Sequence, residues 1–253
     1  MTSGQAAPTW RPDTSLNPGN IALARAVAQM AGRSGRVLEA GAGTARFLRA
    51  ICSRFPELKG HACDTAIWGL AYAKQADGQL AVTRADLTAL PYQSETFDAV
   101  VVFDVLEHLR QPELAVREMA RVMRPGGLFH ALVPCEGQPA TLHWLMWKVG
   151  VAADLKEKRL GHVQRFTHGA LRGLLEGEGF RVARASYSMH WIGQVKDIVM
   201  HAQEGQGFPQ WLARNPVYRV LNTGLWAASY LESRALAPLA ACAVAVHVTA
   251  VKQ

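Results

Sequence analysis

The side chains best suited to hold a charged, hydroxyl-bearing ligand come directly after four short apolar segments. Glu39-Ala40-Gly41-Ala42-Gly43 follows the first segment, and Asp64 follows the second. Asp86-Leu87 follows the third segment, and Phe103-Asp104 follows the fourth. The glycines let the backbone turn sharply and let a ligand approach without meeting a side chain. An acidic residue about twenty positions beyond such a loop accepts hydrogen bonds from ribose hydroxyls, and Asp86 suits an amino group.

The predicted order of strands and helices explains these positions. Apolar periodicity predicts strands at residues 36–38, 60–63, 80–85, 97–103, 128–133, 180–187 and 242–251, alternating with helices. Pro112 is expected to begin a helix that Pro125-Gly126-Gly127 ends, and Thr167 is expected to cap a later helix. The series is typical of an α/β fold: a Rossmann-like, doubly wound, seven-stranded sheet, mostly parallel with an antiparallel last strand and helices on both faces. Ligands of such sheets bind beyond the carboxyl ends of the strands.

Two segments interrupt this alternation. Residues 1–20 are predicted to be a loose lead-in, and residues 21–253 a single domain with inserts at about 134–165 and 188–240. Five of the seven tryptophans lie in the inserts, which indicates that the inserts shape a substrate pocket. The alternative is that these tryptophans only pack the inserts against the sheet.

The composition is that of a globular protein in a reducing compartment. The four cysteines have neither a Cys-x-x-Cys pair nor metal-ligand spacing, so no metal site is predicted and a cytoplasmic location is expected. The apolar stretch 235–251 contains a proline and a histidine and is interpreted as a buried strand, not a membrane span. Although the formal charge is +7, most arginines occur singly at helical spacing, as Arg46, Arg49 and Arg54 do. No nucleic-acid partner is therefore expected.

Together the four strand ends resemble the class I S-adenosylmethionine-dependent methyltransferases of the broad type 11 kind. The resemblance rests on VLEAGAGTARF, Asp64, ADLTALPYQSETFDAVVVFDVLEHL and MRPGG, and covers residues 35–133 closely and 162–187 loosely. It assigns eight residues to the cofactor: Glu39, Gly41 and Gly43 to its methionine part, Asp64 to the ribose, Asp86 and Leu87 to the adenine, and Phe103 and Asp104 to the neighbourhood of the sulfonium. Where that family often has a third glycine this chain has Ala45, which makes the loop slightly less open.

Two alternatives to methyl transfer stay open. A nicotinamide-dependent oxidoreductase would use Gly-x-Gly-x-x-Gly to seat a pyrophosphate, but the position three after Gly43 is Arg46. Glu39 would also repel a pyrophosphate, whereas it suits the ammonium and sulfonium groups of S-adenosylmethionine. The second alternative is a catalytically silent subunit that binds S-adenosylmethionine and serves as a partner.

The sequence identifies the residues that contact the methyl acceptor less clearly than those that contact the cofactor. A general base is needed only if the acceptor must lose a proton, and four histidines are candidates: His108, His143, His162 and His168. The stretch Gly161-His162-Val163-Gln164-Arg165-Phe166-Thr167 resembles one that precedes a late helix in many such enzymes. It predicts that His162 and Arg165 line the acceptor site beneath the first insert, with His108 as a further catalytic candidate.

The second insert suggests a hydrophobic or amphipathic small-molecule acceptor. Trp191, Val195, Ile198 and Ala202 fall on one helical stripe, with Gln194, Lys196 and Asp197 off it. Asn215 and Pro216 are expected to begin another helix with Leu221, Leu225 and Ala228 aligned. Both helices could bury their stripes on the sheet or in a homodimer. Alternatively they form an apolar mouth for a lipid-like acceptor, reached at a membrane surface.

Overall fold

The computed structural model describes residues 19–150, 160–203, 211 and 215–253. Its helices are α1 (Gly19–Met30), α2 (Arg46–Arg54), α3 (Ile67–Ala76), α4 (Pro112–Val122), α5 (Leu142–Lys148), α6 (His168–Gly177), α7 (Trp191–Gln203) and α8 (Pro216–Ala235). Its strands are β1 (Gly35–Ala40), β2 (Leu58–Asp64), β3 (Ala81–Arg84), β4 (Phe97–Phe103), β5 (Met123–Pro134), β6 (Phe180–Ser188) and β7 (Ala245–Lys252). Gly19 and Asn20 are helical although 1–20 was predicted to be loose; residues 1–18 lie outside the described part of the chain.

The seven strands form one sheet in the order β3-β2-β1-β4-β5-β7-β6. Strands β1 to β5 run parallel to one another, and β7 runs antiparallel between β5 and β6. The register places Ala40 opposite Cys63, and Phe103 opposite Leu132. The carboxyl ends of β1, β2, β4 and β5 therefore meet at one edge of the sheet, and the predicted Rossmann-like fold is confirmed.

Helices cover both faces of the sheet, each over its own apolar core. Helices α1, α2 and α3 pack on one face, where the largest fully buried side chains include Leu23, Leu48 and Ile51. Helices α4 and α6 pack on the other face, against Phe129 and Phe180. Nearly all of β4 is buried, as expected for a central strand covered on both sides. The two helical layers therefore fix the position of the sheet edge that carries the predicted ligand residues.

The Pro125-Gly126-Gly127 segment does not close a helix but belongs to β5. Helix α4 ends at Val122, and the pairing of β5 with β4 jumps from Phe97–Met123 to Ala99–Leu128. Proline cannot donate a hydrogen bond to the ladder, and Gly126 has a φ of 74°, so the segment bulges out of the pairing. By contrast, Thr167 caps α6 as predicted, since its hydroxyl accepts from the Ala170 N–H.

Helix α7 turns its polar residues inward and part of its apolar stripe outward, so this stripe is not buried on the sheet. Trp191 and Val195 of the stripe are 47% and 42% exposed, whereas Gln194, Lys196 and Asp197 are buried. The buried amide of Gln194 donates to the carbonyls of Met189 and Cys242 and accepts from the Leu142 N–H. Residues outside the helix supply the hydrogen-bond partners of this polar face. The periodicity of the helix therefore could not predict that the face is buried.

None of the helices among the described residues combines the length and hydropathy needed to cross a membrane.

Candidate cofactor and acceptor site

The loop after β1 is shaped by two glycines with positive φ. Gly41 has a φ of 75°, and the side chain of Val105 fills the space that a Cβ at Gly41 would need. Gly43 has a φ of 52°, and a Cβ there would meet nothing within 4 Å. The N–H groups of Gly41 and Ala42 donate to the Cys63 carbonyl at 2.8 and 2.9 Å. The loop is therefore fixed to the end of β2 while its outer side stays open to a ligand.

Ala45, at the position where a third glycine is common, adopts a left-handed conformation. It is the N-cap of α2, with φ 52° and ψ 34°. This conformation costs a residue with a Cβ about 1–2 kcal/mol. The Ala45 methyl is fully buried in the core beside α2, so its packing offsets part of that cost. Ala45 therefore carries a conformational cost that its place at the start of a helix does not reveal.

Glu39 carries a carboxyl group that is buried beneath this loop. Its side chain is 2% exposed, and one carboxyl oxygen accepts from the Leu48 N–H at 3.1 Å. Burial raises the pKa of the Glu39 carboxyl to about 8, against the opposing effects of the Leu48 N–H and of Arg46. A cation placed beside Glu39 would favour its charged form. The residue therefore suits a positively charged ligand group.

The acidic residues after β2 and β3 are anchored by local hydrogen bonds. Asp64 accepts from the Gly43 N–H at 2.7 Å and from the Ala66 N–H at 2.8 Å, so it joins the glycine loop to the start of α3. Asp86 accepts from the N–H and the hydroxyl of Thr88, which lowers the pKa of the Asp86 carboxyl. Leu87 is buried beside it. Each oxygen of a carboxylate has two lone pairs, so both acids keep acceptor capacity for a ligand.

Phe103 and Asp104 end β4 at the same edge of the sheet. The Phe103 ring is buried and stacks on Phe47 of α2 with a centroid distance of 4.1 Å. Asp104 is exposed and has a φ of 53°, a conformation that aspartate tolerates better than most residues. Its N–H donates to the Leu132 carbonyl at 3.1 Å. Non-glycine residues held in this conformation occur often at ligand sites.

A cavity of about 340 Å³, the strand-end cavity, opens beside Asp104. It is bounded by the ends of β4, β5 and β6, the start of β7, and helices α1, α2, α7 and α8. Its polar lining includes Arg46, Asp104, Ser188, Lys196, Asp197 and His247, and its apolar lining includes Leu132, Met200 and Trp226. This volume falls in the range of small-molecule sites.

Three of these lining residues were missed as functional candidates in the sequence. Arg46 was interpreted as part of a solvated helix face, yet it borders the cavity directly after the glycine loop. The position of Arg46 directly after the glycine loop could have indicated that it lies near the ligand. Lys196 was interpreted as lying off an apolar stripe, but its ammonium lies over the Trp226 ring, 3.3 Å from the centroid. His247 was interpreted only as part of a buried strand, and no sequence signal distinguished it.

His108 and His162 meet in a separate polar cluster with two buried glutamates. The two imidazole rings contact each other edge to face at 4.8 Å. His162 Nδ1 lies 3.2 Å from a Glu136 oxygen, and His108 Nε2 lies 3.7 Å from a Glu107 oxygen. Burial, and then His162, lowers the pKa of His108. The cluster combines acids and imidazoles as proton-transfer sites do.

The same cluster contains a set of groups that could hold a divalent ion. One potential ligand atom each of Glu107, His108 and His162 lie within 4.8 Å of one another. Two imidazoles and a carboxylate suit zinc and other first-row transition metals. A Glu136 oxygen already lies 3.2 Å from His162 Nδ1, so this imidazole has a polar neighbour within the cluster.

The first insert is tied to the second by a buried hydrogen bond. His143 Nε2 of α5 lies 2.9 Å from an Asp197 oxygen of α7, and both side chains are buried. The Arg165 guanidinium lies over the Trp147 ring of α5, 5.4 Å from its centroid. Helix α5 therefore rests on the helix that walls the strand-end cavity, without lining that cavity itself within the described residues.

The structure separates the predicted site residues into two groups. The cofactor candidates from Glu39 to Asp104 gather along the carboxyl edge of β1 to β4. The catalytic candidates His108, His162 and Arg165 do not border the strand-end cavity but lie around the first insert, at and beyond the short helical turn Leu106–His108. Their roles stay predictions.

The comparison with protein families matches the central part of the chain. Residues 38–131 fit the family model described as a methyltransferase domain. This range includes the loop after β1 and all eight predicted cofactor residues. It excludes His162 and Arg165 and both inserts.

Individual relatives resemble the chain over part of its length. A demethylmenaquinone methyltransferase of Clavibacter sepedonicus is 30% identical over 132 residues, which is 50% of this chain and 52% of that protein. The chain thus spans about half the length of this curated relative. A geranyl diphosphate C-methyltransferase of Streptomyces coelicolor, solved with S-adenosyl-L-homocysteine, aligns with a TM-score of 0.62 at 10% identity, covering 92% of this chain and 78% of that one. The [4+2]-cyclase SpnF aligns with a TM-score of 0.61 at 20% identity, covering 96% and 85%.

Proposed function

We propose that this chain is a class I S-adenosylmethionine-dependent methyltransferase that transfers a methyl group to a small hydrophobic or amphipathic acceptor. The observation that carries the proposal is the conjunction of the open glycine loop, the buried Glu39 and the adjoining strand-end cavity. The fold alone leaves the reaction open, since the similar SpnF is a cyclase.

The residues at the sheet edge fit S-adenosylmethionine. The buried Glu39 carboxyl suits a cationic group, the loop at Gly43 leaves space for a ligand, and Asp64 stands at the loop with acceptor capacity for ribose hydroxyls. Bound there, the cofactor would supply a methyl group already activated on a sulfonium. The chain's own contribution is then to hold the acceptor in line and to keep water away.

The lining of the strand-end cavity supports an acceptor with an apolar body and a polar end. Trp226, Met200 and Leu132 offer apolar contacts, and Lys196 and Asp197 offer charged groups at one side. The name of the relative from Clavibacter sepedonicus concerns demethylmenaquinone, an acceptor of that general character. Half-length similarity does not transfer that substrate to this chain, but it agrees with the cavity.

Deprotonation of the acceptor, where required, has two candidate groups. The sequence favours His162 with His108 and Arg165 on the acceptor side. The structure adds Asp197, which borders the strand-end cavity and is paired with His143. A carboxylate that borders the acceptor can take up its proton as a general base, and becomes a neutral carboxylic acid.

A turnover screen tests the proposed function. The protein is incubated with methyl-labelled S-adenosylmethionine and a panel of quinols, phenols, prenyl compounds and fully polar amines. Label transfer to a hydrophobic or amphipathic member is expected. Preference for a small, fully polar acceptor would contradict the proposed acceptor class. Cofactor binding without transfer to any acceptor would favour the silent partner subunit, and binding of NAD alone would favour the oxidoreductase.

The outer faces of α7 and α8 support docking of this enzyme on a membrane surface. Val217, Val220, Leu221 and Leu231 are each more than half exposed, and Trp191 is 47% exposed. Exposed apolar side chains of paired helices, with a net positive protein, suit an anionic bilayer surface. Flotation with anionic vesicles at low salt should carry the protein upward. Protein that stays unbound and elutes as a dimer would instead assign these faces to a homodimer.

A further inference from the structure

A second cavity lies on the face of the sheet between α1 and α8. Its volume is about 330 Å³, and we call it the arginine cavity because Arg25, Arg184 and Arg234 border it. His130, His247 and Thr249 of β5 and β7 also line it. It shares His247 with the strand-end cavity, but its other lining residues belong neither to that cavity nor to the predicted cofactor residues.

The arginine cavity has an excess of positive charge. None of its described lining residues is acidic, although three guanidinium groups border it. The imidazoles contribute no charge at neutral pH, because burial and the neighbouring Arg25 lower the pKa of His130 to about 4 and that of His247 well below its ordinary value. Burial and then Arg184 lower the pKa of Arg25 to about 10. Like charges held together in this way attract an anion.

Several buried polar atoms beside this cavity have no hydrogen-bond partner among the described residues. They are Arg25 Nη1, His130 Nε2 and His247 Nδ1. The opposite nitrogens of these groups are engaged: Arg25 Nη2 donates to the Tyr187 and Ser233 carbonyls, and the two histidines contact Thr249 and Ser188. Unsatisfied buried polar groups are costly and uncommon. Their convergence on one cavity points to a polar ligand.

We propose that the arginine cavity binds a small organic anion, with a carboxylate or phosphate group held by the three arginines. Arginine presents paired N–H donors that match both kinds of group. The apolar body of the ligand would lie against Ile21 and the alanines of α1 and the 235–240 turn, Ala24, Ala28 and Ala237. This inference does not depend on the proposed methyl transfer, since the three arginines that would hold the anion border the arginine cavity and not the strand-end cavity.

Calorimetry with the full chain tests the proposal, with hexanoate, hexyl phosphate and inorganic phosphate as probes. Arg184→Ala and Arg234→Ala are suitable variants, because both side chains are exposed at the rim and their loss should not disturb folding. Arg181→Ala is the matched control, since Arg181 is an exposed arginine of the same strand that does not line the cavity. Lys196→Met removes a cation of the strand-end cavity instead.

We expect at least one of the two organic anions to bind, and to bind more tightly than inorganic phosphate. Arg184→Ala and Arg234→Ala should each weaken that binding about tenfold or more, as expected for a lost hydrogen bond between charged groups. Arg181→Ala and Lys196→Met should leave it unchanged. Whether hexanoate or hexyl phosphate binds better identifies the head group.

Three results would overturn the proposal. The first is that neither organic anion binds at millimolar concentration. The second is that inorganic phosphate binds as tightly as both, which would remove the apolar part of the site. The third is a loss of affinity in Lys196→Met but not in Arg184→Ala and Arg234→Ala, which would place the anion in the strand-end cavity.

Discussion

Glu39→Gln should separate the cost of burying this carboxyl from its use in binding. The pKa of Glu39 is raised from an ordinary 4.5 to about 8 by burial. The wild-type carboxyl is therefore protonated in the folded protein at neutral pH and ionised in the unfolded chain. Its contribution to stability is fully present below pH 4.5 and is lost as the pH rises through about 8.

The size of this effect follows from the raised pKa. Each pH unit between the two pKa values changes the free energy of unfolding by about 1.4 kcal/mol, so the wild type loses about 3 kcal/mol between pH 4.5 and pH 7. The side-chain amide of the Glu39→Gln variant would keep an acceptor for the Leu48 N–H without this dependence. Urea unfolding at both pH values should show a smaller decrease for Glu39→Gln, and the exposed control Glu176→Gln should behave as wild type.

Binding of the cofactor gives a second and sharper measurement. A cationic group beside Glu39 lowers its pKa, so binding at pH 7 should release up to about 0.9 proton from a carboxyl with a pKa of about 8. Calorimetry in two buffers with different ionisation enthalpies measures this release. Glu39→Gln should release none and bind S-adenosylmethionine more weakly. Equal proton release by the variant and the wild type would refute the assignment of Glu39 to the cationic part of the cofactor.

Three further predictions concern the cofactor edge and the histidine cluster. Asp64→Ala should weaken S-adenosylmethionine binding by about 1–3 kcal/mol in calorimetry, as a lost hydrogen bond to a charged group does; unchanged affinity would remove Asp64 from the site. His162→Ala should reduce turnover and leave cofactor affinity nearly unchanged, whereas a parallel loss of affinity would mean that His162 supports the fold or the cofactor. Dialysis against a chelator should leave turnover unchanged because a Glu136 oxygen already lies 3.2 Å from His162 Nδ1, and activity restored only by added metal would show that the cluster works as a metal site.

The cofactor edge was predictable because its geometry follows from strand order. Parallel strands put their carboxyl ends on one side, so residues directly after β1, β2, β3 and β4 had to gather whatever the details of the loops. The glycines of the loop also indicated a sharp turn, because glycine adopts positive φ without steric cost. Ala45 is the exception, since no rule of composition shows that its backbone is left-handed.

The acceptor side was much less predictable, because its contacts join distant parts of the chain. His143 and Asp197 belong to different inserts, and neither residue's neighbours in sequence reveal the other. The three arginines of the arginine cavity lie on α1, β6 and α8, and arginines that occur singly were interpreted as surface charges. Arginines that are far apart in the sequence can still meet at one cavity in the folded protein.

The orientation of α7 follows from the cavity that it walls. A helix that walls a polar cavity must turn Lys196 and Asp197 inward, and helical geometry then sends Trp191 and Val195 outward. Burying the apolar stripe on the sheet would be the more stable arrangement for the helix alone, by roughly 1.5–3 kcal/mol for each large side chain. The inward face recovers part of this loss through Gln194 and through the contact of Asp197 with His143. The apolar side chains of α7 are therefore left on its outer face, the face that we propose for docking on a membrane surface.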